Sequence, residues 1–209
     1  PLVTKLLFYF NGFNSAILQD WSGSPKIVAV ADYASGAGYA FRPVSINFRR
    51  AAAHREEILE SVHPGVEQVV FCGSSMGGWF ARIMQLSLLA RRPELTCEAV
   101  AFNPAFDLGK HGEMLLGPQV NYVTGEAYEW TVENSRQLAS LEQSVDYDAP
   151  LPFFVYVDKR DEVISWEASA RRHSPIGRFR AFEGGCHSFD HAAEALADFD
   201  SAHADILIR

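Results

Sequence analysis

Residues 69–84, VVFCGSSMGGWFARIM, decide the fold of this chain. VVFC has the apolar, β-branched and aromatic character of a buried strand, and MGGWFARIM has the composition of a helix. Between them lies the pentapeptide Gly73-Ser74-Ser75-Met76-Gly77, a G-x-S-x-G motif. A strand, a sharp turn carrying serine and a helix in this order are typical of a nucleophile elbow.

Glycine is required on both sides of Ser75 for a steric reason. A serine on so sharp a turn has a strained backbone, and a Cβ atom two residues away on either side would collide. Gly73 and Gly77 avoid both collisions. We expect Ser75 to project above the sheet, where free N–H groups at the helix start favour a developing negative charge. A glycine-rich turn without chemistry is the alternative.

Away from this stretch, apolar runs of strand length alternate with segments of helical period. This alternation indicates an α/β fold in which parallel strands are joined by crossover helices, and runs that are apolar on both faces suit buried parallel strands. Helices are predicted at about residues 24–36, 49–62 and 76–89. Six strands are predicted, at residues 4–10, 43–48, 67–72, 97–102, 152–157 and 178–182.

The connection of residues 104–150 is too long for an ordinary loop. It is also too rich in apolar and aromatic side chains to remain solvated. We therefore expect a small helical cap, inserted at about residues 105–150 of a single domain that spans residues 1–209. Candidate side chains for the lining of a substrate pocket are Trp79, Phe106, Met114 and Trp130, although residues of these types are more often plain core.

Composition excludes several classes of protein. The 209 residues are 48% hydrophobic, which is too apolar for a disordered chain. A net charge of −8 disfavours a nucleic-acid partner. Three cysteines without metal-ligand spacing favour a reduced, cytoplasmic protein with neither a metal site nor a cofactor. No apolar run is long enough to span a membrane, and no signal-peptide pattern precedes the first strand.

A serine nucleophile needs a histidine base, and in this architecture the base comes last in the chain. Of seven histidines, His187 sits on a glycine-rich loop just after a predicted strand, where the base of a triad belongs. Four others, His173 among them, fall on helical segments with charged neighbours and are predicted to lie on the surface. Carboxyl ends of parallel strands are where α/β sheets place their sites.

The acid that orients the histidine should precede it in the chain. Asp161 is favoured because of its position after the fifth predicted strand, but Asp158 at the strand end is a second candidate. Glu162, expected to face solvent, and Asp107, after the fourth strand, stay open as substitutes, since the carboxylate needs only to reach the histidine.

Two backbone amides are candidates for an oxyanion hole. One is the N–H of Met76, directly after the nucleophile, and the other should come from the turn that ends the first strand, where Phe13 is our choice. An ordinary Asn-Gly turn at Asn11-Gly12 is the alternative interpretation of that segment.

The chain resembles the small YqiA/YcfP-type bacterial esterases of the α/β-hydrolase superfamily. The resemblance spans nearly the whole length and rests on FNGFNSA, GSSMGGWFA, FNPAFD, LGPQVNYVTGEAYEW, RDEVI and EGGCHSF. The cap segment is its most specific part. GSSMGG and DEV alone would indicate only the superfamily.

The resemblance implies a three-layer α/β-hydrolase fold with strand order 2-1-3-4-5-6. It also implies a triad of Ser75, Asp161 and His187, oxyanion donors at Phe13 and Met76, and metal-free hydrolysis of acyl esters or acyl-CoA thioesters. Two positions depart from the family, because Asn11 stands where histidine is usual and Trp79 where a smaller aromatic is common.

The expected activity is therefore hydrolysis of a small-molecule acyl ester or thioester through an acyl-enzyme on Ser75. An acyltransferase would use the same triad, with an alcohol or amine in place of water. A protein that binds a partner on a hydrolase scaffold without catalysis is a further alternative, disfavoured because all three triad residue types occur in the right order.

Overall fold

A parallel six-stranded sheet lies at the centre of the protein, whose computed structural model describes residues 4–207. The strands are numbered along the chain, and those of the sheet run in the order β2-β1-β3-β4-β7-β8. This is the predicted order, and the predicted fold class is confirmed. Strands β5 and β6 form a separate hairpin. Residues 1–3 and 208–209 of the predicted domain lie outside the described residues. The six strands are β1 (Lys5–Phe10), β2 (Ala40–Val44), β3 (Gln68–Ser74), β4 (Thr96–Phe102), β7 (Phe153–Asp158) and β8 (Arg178–Phe182).

Helices cover both faces of the sheet. Successive strand residues point to opposite faces, so each strand contributes to two separate cores. Val70 and Cys72 of β3 join one core with α1 (Pro25–Gly36) and α7 (Ala192–Leu207). Val69 and Phe71 join the other core, which contains α2 (Ala51–Ser61) and α3 (Met76–Arg91). A further short helix, α6 (Trp166–His173), follows β7.

Residues 105–150, the segment predicted to be a helical cap and called the cap below, contain strands as well as helices. A β hairpin, β5 (Gly117–Val120) and β6 (Ala127–Trp130), pairs antiparallel between its helical segments. These segments are α4 (Leu108–His111), a 3-10 turn (Gly112–Leu115) and α5 (Val132–Gln143). Four-residue strands are too short for a periodic hydrophobic signal, so the hairpin could not be predicted from the sequence pattern. Leu138 and Leu141 of α5 enter the core that contains α2 and α3.

The parallel arrangement places the ends of β1, β3, β4, β7 and β8 at one edge of the sheet. The segments at these strand ends contain every predicted member of the triad and the oxyanion hole. They are residues 11–15, 75–76, 103–107, 158–163 and 183–191. The fold thus gathers segments that are far apart in the chain into one crevice.

Candidate active site

Ser75 lies on the sharp turn between β3 and α3, with φ 56° and ψ −123°. A non-glycine residue in this conformation is strained, and the neighbouring glycines allow it. A Cβ atom at Gly73 would lie 2.1 Å from the carbonyl oxygen of Gly77. A Cβ at Gly77 would lie 2.4 Å from the carbonyl oxygens of both Phe10 and Asn11. The turn therefore admits no side chain at either position, and β1 approaches the turn closely.

Three predicted site residues form one hydrogen-bonded chain. Nε2 of His187 lies 3.0 Å from Oγ of Ser75. Nδ1 of His187 lies 3.0 and 2.9 Å from the two carboxylate oxygens of Asp161. The Asp161 side chain is only 2% exposed, and its Oδ1 accepts further bonds from the N–H groups of Val163 and Ile164 at 2.8 and 2.9 Å. The carboxylate is therefore held rigidly against the imidazole.

The other acid candidates lie elsewhere. Asp158, fully buried, accepts from the amides of Cys186 and Asp190 at 3.3 and 2.7 Å and lies 2.5 Å from Nδ1 of His191. It fixes the histidine loop, residues 183–191, without reaching His187. Asp107 pairs with Arg172 of α6, 2.9 Å away.

Glu162 faces solvent as expected, yet it also contacts the histidine loop. Its Oε2 accepts the backbone N–H of His187 at 3.0 Å. The bond is to the main chain, so Glu162 does not compete with Asp161 for the imidazole. Both neighbouring acids of the β7 loop thus hold His187, one by its ring and one by its backbone.

Asn103 is a site residue that sequence reasoning missed. It follows β4 directly, has φ 42° and is almost fully buried. Its Nδ2 donates to the carbonyls of Cys186 and His187 at 2.9 and 3.2 Å, and its Oδ1 accepts the N–H of Asp158 at 2.8 Å. The available signal was a polar residue at the carboxyl end of a buried strand. Asn103 joins the ends of β4 and β7 to the histidine loop.

The predicted oxyanion donors lie on the two segments that meet at Ser75. Met76 begins α3, so its N–H belongs to the unpaired first turn of the helix. A Cβ at Gly12 would lie 3.2 Å from Cβ and 3.9 Å from Oγ of Ser75, which brings the turn that carries Phe13 beside the nucleophile. Within residues 4–207, no hydrogen bond joins the N–H of Met76 or of Phe13 to a backbone carbonyl of a turn, loop or helix cap. Both amides are thus free for a ligand oxygen.

Asn11 is a buried support of this turn. Its Oδ1 accepts the N–H of Ile46 at 2.6 Å, and its Nδ2 donates to the carbonyls of Gly12 and Ser15 at 2.8 Å each. These bonds close the turn and tie it to the segment after β2. Asn11 therefore acts on the shape of the turn and does not enter the hydrogen-bonded chain of Ser75.

The cap hairpin holds the far side of the same turn. Asn14 has φ 53°, and its Nδ2 donates to Oε1 of Gln119 at 2.8 Å. The hydroxyl of Tyr128 donates to Oδ1 of Asn14, and the N–H of Tyr122 donates to its carbonyl at 2.9 Å. The cap is therefore bonded directly to the segment that carries the predicted oxyanion donor.

A cavity of about 680 Å³ opens beside this turn, on the side of α1 and away from the core that contains α3. Gly12 and Ser188 belong to its wall, so it borders the turn beside Ser75 and the histidine loop, although Ser75 and His187 themselves do not line it. Its volume lies within the usual range of small-molecule sites. Its remaining wall is mostly apolar with a few charged groups, including Ile17, Leu18, Asp20, Trp21, Lys26, Val123, Phe189 and Asp190.

None of the four predicted lining residues borders this cavity. Trp79 is fully buried and its Nε1 donates to Glu142 of the cap at 2.8 Å. Trp130 is also buried, with its ring edge-on to Phe13 and its Nε1 bonded to Ser135 at 2.9 Å. Both indoles found a polar partner inside the core, as buried tryptophan requires.

Phe106 and Met114 also differ from the expectation. Phe106 is half-buried against the ring of His173, 5.4 Å away, and Met114 is 83% exposed on the 3-10 turn of the cap. Apolar composition could not distinguish these positions from cavity walls, because each lies in the cap or beside it. The wall of this cavity is formed instead by the loop of residues 11–24, the start of α1 and the histidine loop.

His173 was expected on the surface, and that prediction is wrong. It lies fully buried between Phe106 and Phe153, where Nδ1 contacts Ser169. Burial lowers the pKa of its imidazole to about 4. The charged neighbours Arg171 and Arg172 suggested exposure, but α6 is too short for its face to be assigned from the pattern. His173 is a neutral core residue.

Within the described residues, no group of three or more His, Cys, Asp and Glu side chains has the arrangement of a metal site. Cys72 and Cys97 are buried, Cys186 is partly exposed, and all three are free thiols. No helix within the described part of the chain is long and apolar enough to cross a bilayer.

Comparison with known families gives one match that covers nearly the whole chain. The profile of an uncharacterised protein family, UPF0227, matches residues 6–201. No curated protein sequence matches the chain.

Several solved structures share the fold. Est1E from Butyrivibrio proteoclasticus superposes with a TM-score of 0.70 at 14% identity, over 100% of this chain and 90% of its own. Alpha/beta hydrolase domain-containing protein 10 from mouse gives 0.65 at 15% identity, over 96% and 90%. A hyperthermophilic esterase from the archaeon Pyrobaculum calidifontis gives 0.62 at 15% identity, over 99% and 78%. At these identities the similarity establishes the α/β-hydrolase fold.

Proposed function

We propose that this chain, which belongs to the UPF0227 family of YqiA-like α/β-hydrolase proteins, is a serine hydrolase that cleaves acyl esters or thioesters. One observation carries the proposal. Ser75, His187 and Asp161 form a continuous hydrogen-bonded chain on a strained turn at the carboxyl edge of the sheet. A serine, an imidazole and a carboxylate in this sequence of contacts are the requirements for acyl transfer through a covalent intermediate.

In this mechanism, Nε2 of His187 takes the proton of Ser75 while Oγ attacks the acyl carbonyl. The resulting oxyanion binds to the amides of Phe13 and Met76, which have no competing protein acceptor near the crevice. His187 then gives its proton to the departing alcohol or thiol. The acyl group remains bound to Ser75 as an ester. Water, activated by the same imidazole, releases the acid and restores the serine.

Asp161 supports each step without touching the substrate. Its carboxylate accepts Nδ1–H of His187, which leaves Nε2 as the acceptor that faces Ser75. Its own bonds to two backbone amides keep the carboxylate in this orientation. The substrate side chain or leaving group would occupy the cavity between the turn of residues 11–24 and the histidine loop.

Ser75→Ala tests the proposal. We expect covalent labelling by a fluorophosphonate to disappear and hydrolysis of p-nitrophenyl esters and acyl-CoAs of graded length to fall by about 10⁴ or more. Ser87→Ala is the matched control, because Ser87 is buried in the same helix and its hydroxyl has no partner among the described residues. Unchanged turnover in Ser75→Ala, or equal losses in both variants, would contradict the proposed nucleophile.

A further inference from the structure

Lys26 connects the two loops that carry the nucleophile and the base. Its Nζ donates to Oγ of Ser74 at 2.7 Å and to the carbonyl of Ser188 at 2.7 Å. Ser74 immediately precedes Ser75, and Ser188 immediately follows His187. One ammonium group at the start of α1 therefore bridges neighbours of both reacting side chains, which lie 112 residues apart in the chain.

Lys26 is half-buried where it makes these two bonds. The residue belongs to the wall of the 680 Å³ cavity. Burial lowers the pKa of its ammonium to about 8, opposed by weaker attraction to nearby acidic groups. The titratable groups that face Lys26 belong to β3, to the end of β7 and to the histidine loop. These facing groups are Cys72, Asp158, Cys186 and Asp190. Tyr9 of β1 and Asp20 lie in the same cavity wall.

We propose that Lys26 is a positioning residue that holds the nucleophile turn and the histidine loop at their reacting distance. The inference rests on the proposed function, because it assigns to Lys26 the geometry of the same Ser75–His187 contact. Lys26 touches neither reacting atom in the structure, and its two bonds end on their neighbours. Both are bonds from a charged donor, which are shorter and stronger than neutral ones.

Such a bridge matters because acyl transfer tolerates little displacement. A shift of about 1 Å between reacting groups can lower the rate by about 10². Asn103 and Asp158 fix the histidine loop to β4 and β7, and the N–H of Ser75 ties the nucleophile turn to the carbonyl of Phe102 at the end of β4. Lys26 adds a direct bond from one side chain of α1 to both segments, on the side of the cavity.

Lys26→Met tests the inference, because methionine has a similar length and cannot donate. We expect kcat for p-nitrophenyl esters to fall about 10- to 100-fold, with KM within about twofold and the melting temperature little changed. Ser74→Ala should cause a smaller loss, since the bond to Ser188 survives. The double variant should be no worse than Lys26→Met alone, because both changes break one bridge. Lys110→Met, at an exposed lysine of α4, controls for loss of a positive charge.

The pH dependence separates positioning from a purely structural role. Lys26 is charged below a pKa of about 8 and neutral above it, so the charged bridge weakens as pH rises through this value. We expect wild-type kcat to decline between pH 7 and 9 by a step that Lys26→Met lacks, with the fold intact across this range. A variant that keeps full kcat, multiplicative losses in the double variant, or an identical pH step would overturn the inference. Failure of the proposed function is distinct, since wild-type turnover would then not depend on Ser75.

Discussion

Exchange of a single atom in either of two neighbouring acids should separate catalysis from stability. Asp158→Asn, at the end of β7, and Asp161→Asn, on the loop after it, each replace one carboxylate oxygen by an amide nitrogen. Both side chains are buried and accept several hydrogen bonds. They differ in their imidazole partner, because Asp161 contacts His187 and Asp158 contacts His191.

The expected magnitudes follow from these contacts. In Asp161→Asn the amide can no longer hold Nδ1–H of His187, so Nε2 carries the proton and cannot accept that of Ser75. We expect kcat to fall by about 10⁴ with little change in KM. In Asp158→Asn the backbone amides of Cys186 and Asp190 lose a charged acceptor. A buried bond of this kind contributes about 1–3 kcal/mol, which lowers the melting temperature by about 2–12 °C in a chain of this size.

Steady-state kinetics with a p-nitrophenyl ester and thermal unfolding followed by circular dichroism, at one pH, measure the two effects. We expect Asp161→Asn to lose activity while it keeps its melting temperature within a few degrees. Asp158→Asn should show the opposite pattern, with kcat reduced less than about 100-fold at temperatures where it is folded. If Asp158→Asn lost more activity than Asp161→Asn at equal folded fraction, our assignment of the orienting acid would be refuted.

Two further predictions concern packing around the crevice. Gly77→Ala should lower the melting temperature by about 2–12 °C, because overpacking costs about 1–3 kcal/mol of stability. Gly36→Ala is the control and should be neutral or stabilising, because the space around its Cβ is open. Equal effects of the two changes would contradict the close contact between Gly77 and the end of β1. Trp21→Ala should widen the cavity and shift relative kcat/KM toward bulkier esters by about tenfold or more, whereas Trp130→Ala should reduce rates uniformly and lower the melting temperature. If only Trp130→Ala changed the preference for acyl chain length, the acyl group would instead bind under the cap.

Sequence reasoning succeeded where one local pattern had one structural solution. The alternation of apolar runs and helical segments fixed the fold class, and the sharp turn at Ser75 could be placed because Gly73 and Gly77 leave no other conformation. His187 was found by its position on a glycine-rich loop after a strand. For Ser75 and His187, the observation lay next to the predicted residue in the sequence.

Features that depend on tertiary contacts could not be predicted in this way. Asp158 and Asp161 are three residues apart, and only the path of the histidine loop decides which imidazole each one meets. Trp130 and Met114 have similar apolar character, yet one packs under the cap and the other is exposed. Local sequence does not show which neighbour covers a side chain, so the four predicted lining residues do not include any residue of the cavity wall.

The residues that hold the crevice together share a property that explains why no motif revealed them. Asn11, Asn103 and Lys26 each use one polar side chain to join segments that are distant in sequence. Their requirement is to satisfy buried backbone groups, and many polar side chains can do this from different positions. A serine on a strained turn has no such freedom. The reacting groups are therefore confined to a recognisable pattern, while their supports vary. Asn11 is such a case, since its side chain keeps the turn closed without entering the proposed chemistry.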